Sequence, residues 1–373
     1  MSWIFSRYIA ALLLGRLVLI AGGMTAVVVF LDFLSDGDQV ITQSDELLLP
    51  ILRYSALRLP IILAQVLPIS AFFAGCFTFA QLSRNSELAA LHAAGVPKAH
   101  LAVAALPAAL LVAVFQFMIE DLAVPRATAA LQSWGIGDYV SGGEGEEQAF
   151  WLRRGDDILR YRGADSTDHV LLDVTIFRRD TTGNLTERID APTALYDDGR
   201  WLLQDAEVTS ANDVTRRSYP TYYWDTSLSP SLLEAVASHP RVASLSALLQ
   251  AQSQSGTGSQ PDYVFRVWLH ERISRPISTV LLVLLTIALA RPSGRGPGGG
   301  WWIAISMAIG FALWSLDGLM LKLGEHGLLV PWVAAWVPTF VIALTAGWVA
   351  LYVEHQASWR DGRAPPPSVA GRA

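Results

Sequence analysis

YVFRVWLHERISRPISTVLLVLLTIALA, residues 263–290, decides how many times this chain crosses a membrane. Its second half, residues 277–290, carries no charge, but a membrane helix needs about 20 mostly apolar residues to cross a hydrocarbon core of about 30 Å. The missing turns come from residues 263–276, which mix Val264, Phe265, Val267, Trp268 and Leu269 with Arg266, His270, Glu271, Arg272 and Arg275. The stretch therefore reads as one span with a charged stripe at membrane depth or at its edge, where ionisable groups face a partner or a watery cavity rather than lipid. Glu271 and Arg275 stand four apart and can neutralise each other on one helix face. Arg266 and Arg272 remain, and guanidinium forks suit phosphate or carboxylate recognition.

Outward from this segment, apolar runs occupy residues 11–34, 59–83 and 101–119 on the amino-terminal side and 301–316 and 328–353 beyond it. Together they predict six spans, three on each side of a polar insert that runs from Glu120 to about Asp262. Composition agrees: 52% of the 373 residues are hydrophobic and only 16% charged, where soluble domains carry nearer a quarter charged residues. Mean hydropathy is +0.36. A net charge of -6 leaves no broad basic field, which argues against a nucleic-acid partner. Cys76, alone of its type, sits inside an apolar run, so no intrachain disulfide or thiolate cluster can form and it reads as a small core residue. Arg7 and Arg16 flank short apolar pieces without a convincing cleavage site, and the first run is expected to be a retained signal anchor.

Orientation follows from the basic residues of the short loops. With the amino terminus inside, Arg7, Arg16, Arg84, Lys98, Arg291, Arg295, Arg360, Arg363 and Arg372 collect on one side, and Asp32, Asp36, Asp38, Asp45 and Glu46 on the other, where only Arg53, Arg58 and Lys322 lie near span ends. Both termini are thus expected in the cytoplasm and the insert across the membrane. Asp317 follows an apolar run in span five and reads as an interfacial residue near its outer end.

The insert alternates with period two between turn residues, in residues 158–162, 170–177, 186–189, 201–208 and 214–218, the pattern of short strands in a sandwich or jelly roll. Thr182-Gly183-Asn184 and Asp197-Asp198-Gly199 supply tight turns. Residues 140–228 suffice for one such domain; 232–250 read as one or two short helices and 251–260, AQSQSGTGSQ, as a flexible linker. The division is residues 1–126 for spans one to three, 127–260 for the β-domain and linker, 261–356 for spans four to six, and 357–373 for a cytoplasmic tail.

Signals for catalysis are lacking. There is no GxxxxGK[ST], HExxH or GxSxG pattern, the seven histidines are scattered, and residues 294–300 (GRGPGGG) read as a connecting turn. No catalytic residue, metal ligand or directly bound cofactor is expected. Residues 84–97, RNSELAALHAAGVP, stand out instead. Asn85 or Ser86 can cap a short helix, Glu87 favours its positive end, Gly95 can take the left-handed stop, and Pro97 blocks continuation. The alanines make it slim, with Leu88 and Leu91 as apolar knobs.

Pro60-x7-Pro68, then Ser86-Glu87-Leu88, then Ala93-Ala94-Gly95-Val96 resemble the signature of the LptF/LptG permeases of lipopolysaccharide export. The resemblance extends to Arg7-Tyr8, to Leu172-Asp173-Val174-Thr175-Ile176-Phe177 and Trp201-Leu202-Leu203 in the insert, and to Arg272-x3-Pro276. Asp32-Phe33-Leu34 and Ala56-x3-Pro60 look more like LptG than LptF. The resemblance implies an α-helical membrane protein with six transmembrane helices and a periplasmic jelly-roll-like domain, in the bacterial inner membrane. It also implies an ABC exporter half that works with an LptF-like subunit, an LptB-like ATPase dimer that uses the ATP, and LptC-like and LptA-like periplasmic proteins. By the same resemblance Arg84, Ser86, Glu87, Leu88, Leu91 and Gly95 belong to the helix that couples to the ATPase, and spans one and five to a lateral gate. Family members often carry a basic residue where this chain has Asp32, Asp36 and Asp38, so the contacts to lipid phosphates are expected to fall to Arg53, Arg58, Arg266, Arg272 and Arg275 or to the partner subunit. Another ABC lipid or lipoprotein exporter is the alternative, although four spans are commoner there; a lipid-modifying membrane enzyme would need a catalytic cluster that the sequence lacks.

Overall fold

The computed structural model describes residues 3–42, 48–134, 150–154, 156–165, 170–180, 182–197, 199–211, 215–226, 228, 230, 240–253, 261–290 and 299–361. Among them are six helices long and apolar enough to cross a membrane: Trp3–Ser35, Leu49–Arg84, Ala99–Trp134, Asp262–Leu289, Trp301–Glu325 and Pro331–Leu351. They lie in α1 (Trp3–Thr42), α2 (Leu48–Arg84), α4 (Lys98–Met118) with its continuation α5 (Val124–Trp134), α7 (Asp262–Leu289), α8 (Gly299–Glu325) and α9 (Pro331–Asp361). A short α3 (Glu87–Ala93) joins α2 to α4, and α6 (Leu245–Ser253) precedes α7. The glycine-rich turn at 291–298, the linker at 254–260, the helical piece expected at 232–239 and the tail beyond 361 lie outside the described residues, as do the side chains of Asp36, Asp38, Asp45 and Glu46.

Residues 263–290 do form one unbroken helix, α7, which with α2 makes the centre of the bundle and is flanked by α4, α8 and α9. Small side chains let the axes approach: Ala71, Ala74, Ala108 and Ala109 pack with Val283, Leu13 and Leu17 in one cluster, the way membrane helices gain contact when lipid offers the same apolarity as a neighbour. Two glycines mark the tightest crossings. A β-carbon at Gly75 would fall 2.5 Å from the Thr286 hydroxyl, and one at Gly310 would fall 2.0 Å from the Phe72 ring. Exposed tryptophans stand near both ends of the last span, Pro331–Leu351: Trp332 at its start and Trp348 close to its finish. Sixteen residues of helix separate them, about 24 Å, in keeping with two interfacial aromatic belts.

Span three departs from its expected boundary. Instead of ending near Ile119 it passes through a π-helical turn, Ile119–Ala123, and continues as α5 to Trp134. Glu120 and Asp121 therefore belong to the bundle and not to the insert. Span five is likewise longer than the apolar run that announced it, because α8 continues to Glu325, so Asp317 sits well inside the helix and not at its end.

The insert is an antiparallel sheet in the order β1-β2-β4-β5-β6-β7, with β3 paired to β4. Its strands are β1 (Phe150–Arg154), β2 (Asp157–Tyr161), β3 (Gly163–Asp165), β4 (Val170–Arg179), β5 (Leu185–Asp197), β6 (Arg200–Ser210) and β7 (Arg216–Trp224). Gly183 and Gly199 take the positive φ expected of the two turns, 90° and 83°. Period-two alternation located five strands but missed β1 and β3, and it cut β5 short at 189 because the alternation changes phase farther along that strand. In β4 the inward residues are Leu171 and then Val174 and Ile176; in β5, Ile189 and Ala191 and then Ala194; in β6, Trp201 and Leu203 and then Ala206. The phase inverts along one row. The register sets Asp173 opposite Pro192, Pro192 opposite Asp205 and Asp205 opposite Pro220. Asp173 and Asp205 both adopt φ of 49°, and proline has no N–H for the ladder. The switch of buried side along this row marks a crease in the sheet, and the residues that point inward on either side of it, Tyr161, Trp201, Trp224 and small alanines among them, share one core. The Trp201 indole donates to the Leu228 carbonyl at 2.8 Å, and the Trp224 indole to Asp157 at 2.9 Å.

Candidate functional site

Two constellations rise above the packing: the short helix α3 at the bundle end remote from the sheet, and a buried ion network at the level of the π-turn.

The α3 helix keeps its place through Leu88, which is fully buried among Ile9, Phe79, Leu82, Leu101 and Ile287. Its ends are built by backbone. Ser86 adopts φ of 61°, and its carbonyl accepts the Ala90 N–H at 3.0 Å. Neither expected side-chain cap is formed among the recorded bonds: Ser86 acts through its main chain, and Asn85 donates its side-chain amide to the Glu87 carboxylate at 3.1 Å. At the other end Gly95 takes φ of 75° and the Val96 N–H reaches the Leu91 carbonyl at 3.0 Å, the six-to-one bond of a Schellman stop. Arg84 closes α2, exposed, and Leu91 is partly buried. A left-handed non-glycine residue costs about 1–2 kcal/mol. Ser86→Gly is accordingly expected to leave the thermal unfolding midpoint in detergent unchanged or slightly raised, and Ser86→Val to lower it.

The second constellation joins α4, the π-turn, α7 and α8. The π-turn turns the Glu120 carbonyl toward α7, and Arg272 donates to it through Nη1 at 2.9 Å. Through Nη2 the same guanidinium reaches the carbonyls of Ala243 and Arg241, in the segment that leads from the sheet to α6. Asp121 accepts the Leu245 N–H and so caps α6 from the π-turn. Arg275 bonds Glu271 at 2.7 Å and Glu120 at 3.4 Å. Gln116 donates to Glu120 and accepts from Thr279 at 2.6 Å. Asp317 of α8 lies within range of the charges of Arg275 and Glu120. Beside them a small cleft is lined by Gln65, Glu120, Arg241, Trp268 and Glu271. Arg272 and Glu271 are 4% and 2% exposed, and burial of this degree is tolerated only because each charge meets an opposite charge or a backbone dipole.

The five candidate phosphate contacts thus separate. Arg272 and Arg275 are committed to internal partners. Arg58 forms a two-pronged ion pair with Asp32 of α1, which also accepts the Tyr54 hydroxyl at 2.8 Å. Arg53 is exposed and lies 4.5 Å over the Trp134 ring, and Arg266 is exposed on α7. Glu120, Asp121, Gln116 and Thr279 were not singled out by sequence reasoning. The signal was present in the spacing, since Gln116 and Glu120 stand four apart on one helix, and Glu271, Arg275 and Thr279 stand four apart in turn on another. Among the described residues no group of His, Cys, Asp and Glu is arranged to hold a metal ion.

The model of the family described as lipopolysaccharide export system permease LptF/LptG matches residues 7–352. This chain belongs to the LptF/LptG family. Among curated relatives, the lipopolysaccharide export system permease protein LptG of Haemophilus influenzae is 23% identical over 72% of this chain and 76% of its own length. The LptG protein of Escherichia coli K12 is 20% identical over 80% of this chain and 84% of its own length. Both relatives carry the LptG name, in line with the LptG-like residues at the ends of spans one and two. Membership in a permease family supports a transporter and not an enzyme, a multi-pass inner-membrane protein, and a place in lipopolysaccharide export.

Proposed function

We propose that this chain is the LptG-like permease subunit of an ABC-type lipopolysaccharide exporter. In this reading it pairs with an LptF-like subunit, an LptB-like ATPase dimer consumes the ATP, and LptC-like and LptA-like jelly-roll proteins receive the lipid. Both termini and α3 face the cytoplasm, and the creased sheet faces the periplasm. The observation that carries the reading is the family match across residues 7–352 together with a slim, firmly seated helix between spans two and three.

In this mechanism α3 enters a groove on the ATPase, with Glu87 meeting a basic group there and Arg84, Ser86, Leu88, Leu91 and Gly95 setting its shape and position. ATPase closure pushes α3, α2 and α4 transmit the push as stiff levers, and the cavity between the two permease subunits narrows. The exposed apolar faces of α1 and α8, which include Val18, Leu19, Phe30, Trp301 and Phe311, support a lateral gate built from spans one and five. For the lipid phosphates Arg53 and Arg266 are the accessible guanidiniums, while Arg58, Arg272 and Arg275 hold helices together. Since the core of the sheet is filled by its own tryptophans, acyl chains would pass along a neighbouring jelly roll or require the crease to open.

Copurification tests the assignment: an LptB-like ATPase and a second six-span subunit are expected to come with the tagged chain, and Glu87→Arg is expected to strip away the ATPase or abolish lipid release. Normal transport with Glu87→Arg would sink the coupling role.

A further inference from the structure

Tyr8 belongs to a motif that the mechanism above leaves without a task. It lies on α1, far from α3 in sequence, yet its phenol donates to both oxygens of the Glu87 carboxylate, at 3.1 Å to Oε2 and 3.3 Å to Oε1. The stems on both sides of this bond are fixed. Ile9, next to Tyr8, and Leu88, next to Glu87, are fully buried in the same apolar cluster. Ser6 donates to the Ala104 carbonyl of α4 at 2.9 Å, and Arg16 bonds Gln81 of α2. Toward the other end of α1, Asp32 holds Arg58 and Tyr54 of α2. The first span is thus tied to α2 at Arg16 and at Asp32, and to α3 through the shared apolar cluster and the Tyr8 hydroxyl.

We propose that Tyr8 is a positioning residue for energy coupling: it fixes the rotamer in which Glu87 meets the ATPase, and it fastens α3 to α1 so that a push on α3 moves the first span together with the second. The proposal rests on the coupling role proposed for Glu87. A free surface glutamate would lose rotamer freedom on docking, and Tyr8 and Asn85 remove that freedom beforehand. A carboxylate has about four acceptor sites, so bonds from these two donors leave room for a cationic group of the ATPase.

The test is a double-mutant cycle on the assembled exporter, with both permease subunits and the LptB-like ATPase in nanodiscs. ATPase affinity and lipid-stimulated hydrolysis are measured for Tyr8→Phe, Glu87→Gln and the pair. Tyr8→Phe keeps the ring and removes only the hydroxyl. It is expected to weaken docking about threefold to tenfold, to leave thermal stability unchanged, and to add little in the Glu87→Gln background. A spin-label pair at Ala11 and Ala90, both exposed, is expected to report a broader α1–α3 distance distribution. The proposal is overturned if Tyr8→Phe docks and hydrolyses as wild type, or if its effect adds in full to that of Glu87→Gln. If Glu87→Gln is itself silent, the coupling role of Glu87 falls, and the role of Tyr8 with it.

Discussion

Arg272→Ala is expected to cost the folded bundle about 3–5 kcal/mol, because it removes one side of a buried ion pair with Glu120 and leaves that carboxylate with Arg275 as its one remaining cation among the described residues. The loss is broader than one pair. The guanidinium spans the carbonyls of Glu120 and Ala243, so its removal orphans a π-turn carbonyl and loosens the segment between sheet and bundle, and a buried acceptor without a donor is costly by itself. Arg272→Lys is expected to recover only part, since a single ammonium cannot reproduce a fork that serves carbonyls on two sides. Adding Glu120→Gln to Arg272→Ala is expected to return part of the stability, since it removes the charge left with fewer partners. Thermal unfolding in detergent reads all four proteins. Wild-type stability of Arg272→Ala would show that the network carries no load, and Arg272 would return to the set of lipid contacts.

Gly310→Val is expected to be comparably damaging, by about 3 kcal/mol, although it adds only apolar atoms. The first added carbon would already stand 2.0 Å from Cε1 and 2.3 Å from Cδ1 of Phe72, and Phe72 is fully buried, so the ring has nowhere to go. Either α8 lifts from α2 or the chain fails to assemble. Pairing Gly310→Ala with Phe72→Leu is expected to restore folding in part, whereas Gly347→Val, where a β-carbon meets nothing within 4 Å, serves as a neutral control. The yield of monodisperse protein after extraction and its unfolding midpoint distinguish these outcomes.

The sequence foretells the number of spans and the β character of the insert because both depend on local composition and period. The charged half of α7 was legible for the same reason: fourteen charge-free residues cannot cross alone, so the polar half had to join them, and Glu271 does pair with Arg275. The end of span three was not legible. Glu120 and Asp121 look like the start of a polar domain, and only the partners they meet from α7 and α6 keep the chain helical through a π-turn. Asp317 misled similarly, since Lys322 is the charge near it in sequence, whereas the charges that act on it in the fold are those of Arg275 and Glu120. The α3 stop at Gly95 and its start at Glu87, directly after Ser86, both followed from local propensity; the left-handed backbone of Ser86 did not, because serine seldom adopts it and the tertiary burial of Leu88 overrides the preference. The candidate arginines could be found by type and depth, but whether each faces a lipid or a carboxylate depends on contacts between segments more than a hundred residues apart, such as Arg272 with Glu120.

The row of Asp173, Pro192, Asp205 and Pro220 has a bearing on how the sheet avoids mispairing. In a flat sheet a slip of one residue exchanges the two faces of a strand but keeps its hydrogen-bonding pattern intact. Here a slip in β5 would carry Pro192 out of line with both left-handed aspartates, so that a missing N–H would confront a regular ladder position while each aspartate lost the gap that accommodates it. The bend works as an alignment mark read by four strands at once. It also restricts where the lineage can gain or lose residues: a change of length inside any one of these strands would break the alignment for its neighbours, whereas the turns at Gly183 and Gly199 can vary freely.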